Sequence, residues 1–190
     1  MAEFIALFFL TFFIPAVFYV FQLPFEYLDE IMIGVVVIIG VHFFLPLFTA
    51  PFVPSQKKRV ETMIKLADLK KTDRVKELGC GDARIIRAAA RAGVEEAIGY
   101  EISVLLVYWA RFVGLLQKNS AKIFCKNLWS QDYSKTTVVF CYLLPHVMPR
   151  LEKEIWSQLP KGARLVSHAF AMKNIKEDKK ENSVYLYIKK

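Results

Sequence analysis

The stretch Val75-Lys76-Glu77-Leu78-Gly79-Cys80-Gly81-Asp82-Ala83-Arg84-Ile85 decides the fold. It reads as a short strand entering a glycine turn, and the alanine-rich run after it closes at Gly93, a residue suited to end a helix. Two glycines one residue apart let the backbone turn sharply and bring its N–H groups close to a ligand. A dinucleotide fingerprint, G-x-G-x-x-G, needs its third glycine at position 84. Arginine stands there, and its long side chain crowds a helix packed on the strand, which disfavours a nicotinamide or flavin site. An ordinary strand–turn–helix bend remains the alternative for this stretch taken alone.

Working outward, strands are expected over 73–78, 97–101, 121–126, 136–143 and 163–170, and helices over 57–69, 83–92, 104–117 and 147–159. Residues 136–143 are continuously apolar, as suits a buried parallel strand. Residues 173–182 read as a polar loop, and 183–188 alternate as an antiparallel edge strand. This alternation of strand and helix predicts an α/β domain built on a doubly wound, mostly parallel sheet. Glu101 ends the second strand, 22 residues after Gly79. An acid there accepts hydrogen bonds from the hydroxyls of an adenosine ribose, or it merely caps the next helix. Asn127 and Leu128, with Trp129, follow the third strand, where a polar and an apolar side chain suit an adenine edge and face. A turn Asn beside a core Trp is the plainer reading.

Composition adds a second feature. The hydrophobic fraction is 55%, with 16 Phe, more apolar than a soluble domain requires. The excess lies at the N-terminus, where residues 4–25 and 31–56 carry no charge. Each run exceeds the ~20 residues that cross a bilayer core. The acidic turn 26–30 separates them and Lys57, Lys58 and Arg59 follow, so an N-terminal transmembrane helical hairpin is expected over about 4–25 and 31–50. Residues 51–190 then form the second domain, on the cytoplasmic side of an integral membrane protein. Residues 55–190 hold all 26 Lys and Arg against 14 of the 18 acids, a net charge of +12 that favours anionic surfaces. No aromatic-and-basic pattern supports nucleic-acid binding. Cys80, Cys125 and Cys141 lack metal-ligand spacing, so no metal is expected and reduced thiols are.

An acid followed by G-x-G-D-A and a helix resembles the first motif of the Rossmann-like (class I) S-adenosylmethionine-dependent methyltransferases, E/D-x-G-x-G-x-G. Ala83 stands where a third glycine is commonest. S-adenosyl-L-methionine has no phosphates and a zwitterionic aminoacyl end. A carboxylate near its ammonium and free backbone N–H groups suit it. Pro51-Phe52-Val53-Pro54-Ser55, Gly99-Tyr100-Glu101, Asn127-Leu128-Trp129 and Leu143-Leu144-Pro145-His146 extend the likeness. Together they resemble the small lysine N-methyltransferases related to the ATP synthase c-subunit and archaeal protein-lysine enzymes. That resemblance implies a strap at Pro54 folding over the co-substrate, held by Glu77, Gly79, Cys80, Gly81, Asp82, Glu101, Asn127 and Leu128. It implies an acceptor-side loop at Tyr142, Leu143 and Pro145, with Phe170 as a further wall. Asn127 departs from a frequent aspartate and His146 from a frequent acid, so the role of His146 stays open.

The function expected is methyl transfer from S-adenosyl-L-methionine to a lysine of a protein, including a membrane-embedded one. Methylation of a lipid or small amphiphile, or a non-catalytic membrane-tethered scaffold, are the alternatives.

Overall fold

The computed structural model describes residues 53–190 together with Tyr19, Glu30, Ile33, Gly34, Val36 and Val37. The chain divides into two units, Met1–Pro51 and Phe52–Lys190, and the second is described here. The expected hairpin over 4–25 and 31–50 lies outside the described residues, apart from Tyr19, Ile33, Gly34, Val36 and Val37. A span needs ~20 apolar helical residues, and the longest helix described has 13. Among the described residues no helix is long and apolar enough to cross a membrane. The expectation of an integral membrane protein with a cytoplasmic catalytic domain is corrected on that finding.

The elements run α1 (Lys57–Ala67), β1 (Arg74–Leu78), α2 (Arg84–Arg91), β2 (Glu96–Glu101), α3 (Val104–Leu116), β3 (Lys122–Cys125), β4 (Val138–Cys141), α4 (Met148–Glu154), β5 (Arg164–His168), β6 (Lys179–Glu181) and β7 (Val184–Ile188). The sheet order is β3-β2-β1-β4-β5-β7-β6. The first five of these are parallel, and β7 is antiparallel to both of its neighbours. This is the Rossmann-like α/β fold expected. The winding direction reverses between β1 and β4, and the crevice at their carboxyl ends is where such sheets bind ligands.

Burial follows the strand period. On one face, Val60 and Met63 of α1, Ile86 and Ala89 of α2, and Val107 and Ala110 of α3 cover Val75, Val138 and Phe140. On the other, Met148 and Leu151 of α4 and Trp156 cover Leu78, Val139, Cys141 and Leu165. All four residues of β4 are buried, as a strand apolar on both faces must be. The helix expected over 147–159 is shorter, ending at Glu154 before a 3-10 turn at Trp156–Gln158. α3 buries only Val107 and Ala110, leaving Leu105, Tyr108, Trp109, Phe112, Leu115 and Leu116 more than half exposed.

One expectation about the edge fails. β7 is antiparallel but internal, because the charged stretch Lys179–Glu181 pairs outside it as β6. Lys-Lys-Glu has no apolar alternation to announce a strand, yet charged side chains are what protect a sheet edge from further pairing.

At the amino ends of the strands, Asp73 is buried and ties three segments together. Its carboxylate accepts hydrogen bonds from Thr137 Oγ1 at 2.7 Å, Arg164 Nη2 at 2.5 Å and the Lys70 amide at 2.6 Å. Burial opposes its charge, but these hydrogen bonds and the Arg164 charge outweigh it and hold the carboxyl below its ordinary value. A carboxyl depressed by folding contributes stability above its unfolded pKa, and that stability is lost as pH falls through the folded one. Urea unfolding measured from neutral to acid pH is expected to show this loss below about pH 4. In Asp73→Asn that acid-dependent slope shrinks, and ~3 kcal/mol is already missing at neutral pH because Arg164 is left unpaired.

Candidate active site

The carboxyl ends of β1, β2 and β4 converge through their register. Leu78 pairs with Tyr100 on one side and with Cys141 on the other. The residues that follow each strand, Gly79–Gly81, Glu101–Ser103 and Tyr142–Leu143, are therefore neighbours. The glycine turn needs left-handed backbone at Gly79 (φ 65°) and Gly81 (φ 52°), and Ala83 (φ 63°) adopts the same region despite its Cβ. A left-handed residue other than glycine costs ~1–2 kcal/mol, which α2 and the buried Cβ of Ala83 hold in place.

The turn is fastened to β2 at two points. The Cys80 amide donates to Tyr100 O at 2.9 Å, and the Gly81 amide donates to Glu101 Oε2 at 2.9 Å. The other oxygen of Glu101 accepts from the Ile102 and Ser103 amides at 2.8 and 2.9 Å. Three donors orient the carboxylate and leave part of its accepting capacity free. Cys80 turns its sulfur inward. A Cβ built at Gly99 would lie 2.7 Å from it, so only glycine at position 99 lets β2 approach this closely. Burial, followed by the charges of Glu77 and Glu101, pushes the Cys80 thiol up, which keeps it a neutral packing group. Its amide is already engaged.

Glu77 is buried on β1, and its Oε2 accepts from the Ile86 amide in the first turn of α2 at 2.8 Å. Burial pushes its carboxyl well above the ordinary carboxylate value; the Ile86 hydrogen bond opposes this and the Asp82 charge adds to it. A cationic ligand group nearby would reverse the balance. Asp82 is paired with Arg84, which donates from Nη2 at 2.6 Å and from Nε at 3.0 Å to each oxygen. Arg84 also donates from Nη1 to Ser55 O at 2.6 Å. The arginine that excludes a dinucleotide glycine thus holds the segment preceding α1 against the turn. Pro54, next to Ser55, is exposed.

After β3, Asn127 is exposed, and its Oδ1 accepts from the Trp129 amide at 3.0 Å. Leu128 is half-buried, and Tyr133 Oη donates to its carbonyl at 2.6 Å. The guanidinium of Arg150 lies 4.2 Å from the Trp129 ring centre. After β4, Leu143 is buried, 3.7 Å from the position of a Cβ at Gly79, whereas Pro145 and His146 are exposed on a 3-10 turn. Tyr142 is half-buried, its ring centroid 4.3 Å from that of His168 and 6.5 Å from that of Phe170. The crevice therefore gathers Glu77, the glycine turn, Glu101, Tyr142 and Leu143; it does not gather His146. Ser55, Arg84 and His168 went unassigned in the sequence, although an arginine at a glycine position was itself a signal. Among the described residues no cluster of His, Cys, Asp and Glu is disposed to hold a metal.

The profile of the ANTKMT methyltransferase domain matches residues 77–179. The protein-lysine N-methyltransferase of Saccharolobus islandicus (strain REY15A) is 33% identical over 151 residues, covering 73% of this chain and 92% of that protein. The ATP synthase c-subunit lysine N-methyltransferase of Rattus norvegicus is 34% identical over 122 residues, covering 63% of this chain and 56% of that protein. The chain thus spans about half the length of that relative. A solved RNA methyltransferase from Salinibacter ruber, in complex with S-adenosyl-L-homocysteine, superposes with a TM-score of 0.68 at 35% identity, covering 72% of this chain and 93% of that one. Sheet order and crevice define the class as the Rossmann-like S-adenosylmethionine-dependent methyltransferases. Within it, the chain belongs to the ANTKMT methyltransferase family.

The raised Glu77 carboxyl carries a consequence for stability. An acid whose pKa rises on folding disfavours the folded state once pH exceeds its unfolded value. At neutral pH, Glu77→Gln is expected to raise the melting temperature measured without co-substrate. The same change is expected to weaken S-adenosylmethionine binding about tenfold or more, through loss of a charged partner for the ammonium. Scanning calorimetry and titration calorimetry measure the two effects separately.

Proposed function

We propose that the protein is an S-adenosylmethionine-dependent N-methyltransferase whose acceptor is the ε-amine of a protein lysine. The observation that carries the reading is the Glu101 carboxylate held 2.9 Å from the Gly81 amide at the carboxyl ends of β1 and β2. That arrangement makes one continuous wall for an adenosyl group. In this reading Glu101 takes the ribose hydroxyls, Asn127 and Leu128 the adenine, and Glu77 with the turn at Gly79, Cys80, Gly81 and Asp82 the aminoacyl end. The Pro54 strap closes over them. Tyr142, Leu143 and Pro145 face the acceptor. The lysine assignment rests on the relative from Saccharolobus islandicus, which this chain matches over 92% of that protein's length.

Transfer needs the amine nitrogen in line with the sulfonium methyl and a free lone pair on it. Lysine has a pKa near 10.4, and apolar surroundings lower it by penalising the charged form. Tyr142, Leu143 and Phe170 supply such surroundings. RNA is the second acceptor class to test, favoured by the likeness to the Salinibacter ruber RNA methyltransferase and by the positive charge of residues 55–190.

Two measurements test the reading. Glu101→Ala is expected to weaken S-adenosylmethionine binding more than tenfold in a calorimeter, the loss of about two charge-assisted hydrogen bonds; unchanged affinity removes the ribose assignment. Cell extract incubated with the protein and methyl-labelled S-adenosylmethionine is expected to yield labelled methyl-lysine after acid hydrolysis. Label confined to RNA, or to the lipid extract, overturns the lysine reading.

A further inference from the structure

His168 is the last residue of β5 and only 9% exposed. The chain turns sharply after it. Ala169 takes a left-handed φ of 68°, its amide donates to Ser183 O at 2.8 Å, and the Phe170 amide donates back to His168 O at 2.9 Å. This turn brings both rings near Tyr142, with His168 at a centroid distance of 4.3 Å and Phe170 at 6.5 Å. A non-glycine residue held left-handed beside a ligand crevice is strain that its surroundings impose. The imidazole also reaches the strap, with Nδ1 3.5 Å from the hydroxyl of Ser55, which is itself buried.

Ser55 is thus gripped from two directions. Its carbonyl accepts from Arg84 of the co-substrate turn at 2.6 Å, and its hydroxyl meets His168. Arg84 is in turn fixed on Asp82. A contiguous path runs from Asp82 through Arg84, Ser55 and His168 to Tyr142. It joins the co-substrate turn to the acceptor wall through a segment 29 residues earlier in the chain than Arg84.

We propose that His168 is a positioning residue for methyl transfer, holding the Tyr142 ring in the acceptor wall and tying that wall through Ser55 to the strap that Arg84 pins on the co-substrate turn. The inference rests on the function proposed above and adds a link that no single motif contains. Its chemistry needs an uncharged ring. Burial, and then the nearby Arg59 guanidinium, hold the imidazole below its ordinary pKa, so it is neutral at physiological pH and packs against Tyr142 without a counter-ion. Its two contacts are separable: the ring faces Tyr142, and Nδ1 faces Ser55.

The test uses the full chain with His168→Ala, His168→Phe, His168→Asn and Ser55→Ala. Steady-state kinetics use poly-L-lysine as acceptor, and hydrogen exchange is read over residues 53–59. His168→Ala is expected to raise the acceptor KM about tenfold, while S-adenosylmethionine affinity, measured by calorimetry, stays within about twofold. His168→Phe restores the ring, so the acceptor KM returns to within about threefold of wild type although exchange over 53–59 remains fast. His168→Asn keeps a polar partner for Ser55 and does the reverse. Ser55→Ala accelerates exchange over 53–59 as His168→Phe does. A merely structural histidine would make both readouts follow the loss of melting temperature, and that result overturns the proposal. So does wild-type behaviour of His168→Ala. If the wild-type protein methylates no lysine, the function proposed above fails together with the acceptor half. Exchange over 53–59 still decides the strap half.

Discussion

The Glu101 carboxylate accepting the Gly81 amide across the crevice is the contact on which the rest of the site depends. It joins the loop after β1 to the end of β2. The packing beneath it has a steric origin in Gly99, where a Cβ would strike the side chain of Cys80. Once Cys80 packs there, its amide reaches Tyr100 O and the next residue's amide reaches Glu101. The glycines of the turn supply the backbone freedom, and Gly99 supplies the room. A side chain at 99 would push the carboxylate away from the turn without touching a ligand.

The charges around the turn divide the labour. Asp82, Arg84 and Ser55 form an electrically satisfied clamp, a bidentate ion pair extended to a carbonyl, the geometry in which guanidinium groups are strongest. Glu77 is the opposite case. It is fully buried with one amide partner, and burial lifts its carboxyl far from the ordinary value. A fold that keeps an under-satisfied carboxyl at the end of a central strand gives up stability there. Such groups concentrate at functional sites. The contrast between an ion-paired acid at 82 and a buried one at 77 supports the proposed place of the ammonium beside Glu77.

Legibility in the sequence followed sequence distance. The strand β1, the turn and helix α2 over 73–92 were readable because glycine placement and apolar spacing act within a dozen residues. Glu101 was readable because its position at a strand end carries its geometry. The partners of Asp73 were not, since Thr137 and Arg164 lie 64 and 91 residues away. Nor was Arg84, whose spacing argued only against one cofactor while its use lies in Ser55. Lys179–Glu181 lacked any strand pattern, because an outermost strand takes its place from backbone pairing with β7 rather than from apolar side chains. α3 misleads in the other direction: its sequence is apolar nearly all round, yet the sheet edge receives only Val107 and Ala110.

The distribution of charge across the crevice bears on the order of events in the proposed reaction. Acids cluster on the β1 and β2 side, at Glu77, Asp82 and Glu101, whereas the β4 and β5 side offers the rings of Tyr142, His168 and Phe170. A sulfonium bound between them is stabilised by the first group and meets no countercharge from the second. A lysine arriving as an ammonium would face a cation with only neutral rings beside it, so both desolvation and like-charge repulsion favour release of its proton before transfer. The deprotonated amine suffers neither penalty and is the form that attacks. Discrimination of protonation state by the asymmetry of the walls removes the need for a strong general base within hydrogen-bonding reach, consistent with His146 standing exposed outside the crevice. After transfer the sulfonium becomes a neutral thioether and the positive charge passes to the methylated amine. The acids then hold the adenosyl product less tightly, and the methylated amine, now a cation, is disfavoured by the same apolar surroundings that favoured deprotonation before transfer.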